Sequence, residues 1–100
     1  MAKLSISEIL DDIRTSEEIL QKFERRYWIT SEQFFELYSQ GLLDNGEYTE
    51  DFSEWAGFFK LKKRREQSFQ KLGEMRLNEL RTATLTDNIQ LTPQEPIIEA

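Results

Sequence analysis

The amino-acid sequence predicts an all-α protein: a small helical domain of three helices, with a long C-terminal helix and a flexible tail. Three observations carry that expectation. Apolar residues recur with a 3,4 rhythm, as one stripe along a helix requires. Ser/Thr-x-x-Glu/Gln signatures stand where helices should begin, each pairing a cap oxygen with a reciprocal side chain three residues on. Both prolines, Pro93 and Pro96, fall in the final stretch, beyond the helical pattern.

The first helix is expected over about residues 5–27. Ser5-Ile6-Ser7-Glu8 has the capping-box form, and Ile6, Ile13, Leu20 and Tyr27 then follow seven apart, interleaved with Ile9, Ser16 and Phe23. The single polar member of this seam is Ser16. Thr15-Ser16-Glu17-Glu18 also has capping form, but the seam keeps its phase across it, so one long helix is expected. The second helix, about 30–40, starts at Thr30-Ser31-Glu32-Gln33, presents Phe34, Leu37 and Tyr38, and ends at Gly41 with Leu42 placed against Leu37. Asp44-Asn45-Gly46 is a turn, not a calcium loop: aligning its glycine to the sixth loop position puts Gly41 where aspartate is needed.

The third helix is expected over about 50–81, capped near Thr49–Asp51, with Glu50, Asp51 and Glu54 at its positive dipole end. Phe52, Trp55, Phe58, Phe59 and Leu61 make its first apolar face. The stretch 62–68 then holds no apolar residue, which reads as a helix leaving the core there. The pattern resumes with Phe69, Leu72, Met75 and Leu80. These breaks divide the chain into a core at 1–65, an extension of the third helix at 66–81 and a tail at 82–100. The seven residues Leu85 to Leu91 have strand potential only in a pairing context.

Composition limits the chemistry. With no His and no Cys, the commonest general base, zinc ligand and reactive nucleophile are missing, and thiolate zinc sites and disulfides are excluded. Acid pairs such as Asp11-Asp12 and Glu17-Glu18 point about 100° apart on a helix and do not converge as a two-carboxylate site. A non-catalytic protein without metal or cofactor is the expectation. No segment is apolar enough to span a membrane, and residues 1–8 lack a signal core, so a cytoplasmic location is expected.

The net charge of −6 is unevenly spread: residues 41–59 carry five acids and no base, whereas residues 60–81 carry eight bases against three acids. The run Lys60-Leu61-Lys62-Lys63-Arg64-Arg65 admits three readings. It is a solvated helix surface or a partner for the acids of residues 41–59 within the chain, a contact for an acidic protein, or a phosphate contact; the net acidity elsewhere disfavours nucleic acid. All twelve aromatics lie between Phe23 and Phe69, as a compact aromatic core requires, with Trp28 and Tyr48 beside turns as the members most suited to an exposed interface.

The stretch Lys22 to Phe35, then Gly41-Leu42-Leu43-Asp44, then Asp51-Phe52-Ser53-Glu54-Trp55-Ala56, resembles a group of short cyanobacterial and archaeal proteins. Their pattern is Tyr-Gly-Met-Ser/Thr-x-Glu-x-Phe, a Gly-Glu-Leu-Gly-Asp-like turn, and Asp-Phe-x-Glu-Trp. Many resemble the antitoxin halves of two-gene toxin–antitoxin modules. The resemblance covers roughly residues 20–65; this chain departs from it with Trp28 in the glycine position and a longer connection after Asp44. It implies a protein that neutralises a partner toxin through a pliable segment. A helical adaptor or assembly factor shares the same physical features, and a nucleic-acid accessory protein is the third class. The candidate partner-binding residues are Lys62, Arg64, Arg65, Phe69, Leu72, Met75, Leu80, Leu85, Ile89, Leu91, Ile97 and Ile98. A homodimer is also expected, through the first helix or the later half of the third.

Overall fold

A computed structural model describes residues 5–44, 46–83 and 88–93, with only the backbone of Ala83. Among the described residues the elements are α1 (Ile6–Tyr27), α2 (Ser31–Ser39) and α3 (Thr49–Ala83), with no strand. The chain divides into two compact units, one through Gln70 and one from Lys71.

Helix α1 starts as its cap signature requires. Ser5 Oγ accepts from the Glu8 amide and the Glu8 carboxylate accepts from the Ser5 amide, both at 3.1 Å. The helix runs through Thr15–Glu18 without a break. Thr30 and Gln33 repeat the reciprocal cap on α2, at 3.0 Å in both directions. At the end of α2 the Gly41 amide donates to Tyr38 O and the Leu42 amide to Leu37 O, and Gly41 has φ 69°. That pair of bonds is a Schellman ending, and the positive φ is why glycine stands there. Thr49 does not cap α3. Its hydroxyl donates to Gly46 O at 2.8 Å, bracing the loop that leads into the helix.

Within the first unit α3 returns antiparallel along α1, as the contacts Tyr27–Asp51, Phe23–Trp55 and Asp12–Arg65 require. The core is Leu20, Phe23, Phe34, Trp55, Ala56 and Phe59. Trp55, with no exposed surface, is its centre. Its ring lies 4.0 Å from Phe34, nearly parallel at 2°, and 5.4 Å from both Phe23 and Tyr27. Leu37, expected on the inner face of α2, is 36% exposed instead. A nine-residue helix has room for one inward stripe, and Phe34, Phe35 and Tyr38 fill it against α3.

The polar gap in α3 does not leave the core unit. Arg65 Nε donates to Asp12 Oδ2 at 2.7 Å, and Lys62 Nζ lies 3.9 Å from Glu17 and 3.6 Å from Glu66. Lys63 approaches Glu32 of α2 at 3.7 Å and also lies over the Phe59 ring. The long side chains cover the helix interface with their aliphatic stems while their heads meet acids of α1 and α2, not those of residues 41–59. Ser16, fully buried opposite this region, has no hydrogen-bond partner for its hydroxyl among the described residues.

In the second unit, α3 ends at Ala83, two residues beyond the expected end at 81. Residues 88–93 have no regular secondary structure, and Arg76 Nη2 donates to Thr92 O at 2.7 Å.

Candidate functional site

The sequence-derived candidates fall into three groups. In the basic run, Lys62 and Arg65 are half-buried and occupied by acids of α1, whereas Arg64 is exposed and makes no ion pair among the described residues. Only Arg64 of the three therefore presents a free cation to a partner.

The second group is the apolar set on the later part of α3. Phe69 belongs to the first unit and is exposed. In the second unit Leu72 and Met75 are exposed, Met75 at 61%, while Leu80 is half-buried. A three-residue step turns the helix by about 300°, so Leu72 and Met75 form one slanted row of adjacent side chains. Leu77 is also exposed and was not singled out from the sequence; its position three residues before Leu80 puts the two side by side on another face.

The third group is the tail. Ile89 and Leu91 are exposed, Leu91 at 74%, in the irregular segment held by Arg76. Leu85, Ile97 and Ile98 lie outside the described residues.

Among the described residues the first unit has at least two clefts. One, of about 330 Å3, lies between the end of α2 and the start of α3 and is lined by half-buried Tyr38, Leu43 and Phe52 with exposed Asp44, Thr49 and Ser53. The other, of about 200 Å3, is lined chiefly by Glu17, Glu24, Glu32 and Lys62. Among the described residues no acidic group of three or more is arranged to hold a metal ion. No described helix is long and apolar enough to cross a membrane.

A polar network joins the α1–α2 corner to the core. The Trp55 indole N–H donates to Ser31 Oγ at 2.9 Å, and Ser31 donates to Glu24 Oε2 through both its hydroxyl, at 2.8 Å, and its amide, at 2.9 Å. This network fixes how the chain turns at residues 28–30. Trp28, which closes α1, adopts φ 63° and ψ 33° and donates its amide to Glu24 O at 2.8 Å. A left-handed conformation costs a non-glycine residue roughly 1–2 kcal/mol through its Cβ. Here the indole is 89% exposed, and Tyr48 nearby is also exposed, as their positions beside turns suggested.

Next to Trp28, the Tyr27 hydroxyl donates to Asp51 Oδ2 at 2.6 Å, and Arg26 lies 3.4 Å from the same carboxylate. Burial pushes the Tyr27 hydroxyl up to about 12, the Asp51 hydrogen bond and charge add in the same direction, and Arg26 opposes them. Because the folded value is raised, its contribution to stability is complete below the ordinary tyrosine value near 10 and is lost as pH rises through about 12. The expected ultraviolet titration therefore has a late tyrosinate step that vanishes in Tyr27→Phe. A variant that loses an early step and keeps the late one would show that Tyr27 is not the protected group.

No family model, curated protein or solved structure matches this chain.

Proposed function

We propose that this chain is a non-catalytic protein-binding module, antitoxin-like, which neutralises a small partner protein through its C-terminal third. The observation that carries the reading is the exposed Leu72–Met75 row in the second unit. The first unit has an aromatic core of its own, so these side chains are surplus to it. Exposed apolar rows on a helix are what a partner groove takes up, with anchors three and four residues apart. The exposed Ile89 and Leu91 of the same unit add two further apolar anchors. The resemblance to antitoxins supports the same direction.

The test is co-expression with the product of the adjacent gene, comparing wild type with Leu72→Glu/Met75→Glu in the full chain. Wild type is expected to form a complex and restore growth, and the double variant to lose both by at least tenfold while keeping its helical spectrum and melting point. Equal protection by the variant would move the binding site off this row. A wild-type chain that binds no adjacent product would overturn the antitoxin reading and favour the adaptor class. The homodimer expected from the sequence belongs to this proposal as well, and it requires a surface separate from the row offered to the partner.

A further inference from the structure

We propose that a second copy of this chain docks at the end where α1 finishes and α3 begins, with Trp28 of each copy seated in the cleft between α2 and α3 of the other. The inference starts from two features at the surface of the first unit. Trp28 keeps a left-handed backbone that favours glycine, yet its indole makes no compensating burial within the described residues. The cleft of about 330 Å3 is at the lower end of the size range of sites that enclose small ligands, roughly 300–1,000 Å3. Backbone strain clusters at functional sites, so a strained residue whose side chain is also exposed is a candidate for a contact outside its own fold.

The two features match in chemistry. The cleft lining is mixed: Tyr38, Leu43 and Phe52 supply an apolar and aromatic part against which an indole face can stack, and Asp44, Thr49 and Ser53 a polar part in which the exposed Asp44 carboxylate is an acceptor for the indole N–H. Arg25, exposed one turn before Trp28, makes no ion pair among the described residues and complements the acidic loop at Asp44 and Glu47. The smaller cleft does not fit: an indole there would strip water from Glu17, Glu24 and Glu32 without pairing them.

They also lie at the same end of the first unit. The Phe52 ring, part of the cleft, is 5.7 Å from the ring of Tyr27, the residue before Trp28. A patch holding both the anchor and its receptor is self-complementary, so a twofold pairing closes on itself with both anchors seated. Each tryptophan contributes at most about 250 Å2, so the interface falls below the roughly 1,200 Å2 of stable complexes. The dimer is therefore weak and dependent on concentration.

Sedimentation of the full chain from micromolar to millimolar concentration tests this, combined with iodide quenching of tryptophan fluorescence. Trp55 is fully buried, so quenching reports Trp28. Wild type is expected to pass from monomer to dimer, with quenching falling severalfold in step. Trp28→Gly removes the anchor and relieves the backbone, so it should stay monomeric and melt a few degrees higher. Ser53→Tyr fills the cleft from an exposed position and should also stay monomeric with an unchanged helical spectrum. Leu72→Glu/Met75→Glu should dimerise like wild type, which separates this surface from the proposed partner site. A wild-type monomer at every concentration would overturn the proposal. So would either cleft-end variant dimerising as wild type, or a dimer whose Trp28 remains as quenchable as in the monomer.

Discussion

Trp55→Ala is expected to destabilise the protein by about 3–5 kcal/mol, the range for deleting a large buried aromatic. Domains of this size have a total stability of about 5–15 kcal/mol, so the variant should be largely or wholly unfolded at moderate denaturant. The size of the effect follows from position. Trp55 is fully buried, touches aromatics of α1 and α2 through Phe23, Tyr27 and Phe34, and is the donor that reaches Ser31. Urea unfolding followed by circular dichroism measures the loss. Trp55→Phe keeps a ring between the helices and drops the N–H, so its loss should be smaller. An alanine variant unfolding within 1 kcal/mol of wild type would contradict the central place of this side chain.

Ser31→Ala should cost about 1–3 kcal/mol, much more than a serine at the start of a helix ordinarily contributes. The hydroxyl is buried and stands between two groups, accepting from the Trp55 indole and donating to Glu24. Removing it leaves a buried indole N–H without an acceptor, and that desolvation sets the cost. A double-mutant cycle with Trp55→Phe isolates it: once the indole N–H is gone, Ser31→Ala should cost less than it does in wild type. Strict additivity would show that the bond contributes nothing measurable, and that Ser31 acts only through its amide and Glu24.

The local signals were legible because they are short-range. Ser5 with Glu8, Thr30 with Gln33, and Gly41 after α2 each operate within one helical turn, so their identity and spacing are sufficient. The polar stretch 62–68 was misread for the opposite reason. Its charges looked like a helix in solvent, but Asp12, Glu17 and Glu32 meet them from residues 31 to 53 positions earlier in the chain. Trp28 was legible as an exposed aromatic, whereas its left-handed backbone was not, since a tryptophan carries no signal for that conformation.

By itself, then, the sequence determined the fold class, the three helices to within two residues at every end, and the aromatic character of the core. Periodicity and capping are properties of a single helix and need no knowledge of its neighbours. Only the tertiary structure decided which faces were used. It turned Leu37 outward, joined Trp55 to Glu24 through Ser31, closed the polar gap of α3 with acids from α1 and α2, and set Trp28 and the α2–α3 cleft at one end. These are pairings between residues distant in sequence, fixed by the antiparallel register of α1 and α3. The aromatic packing around Trp55 and the Arg65–Asp12 ion pair further along α3 stabilise that register, and neither is visible until the helices are side by side.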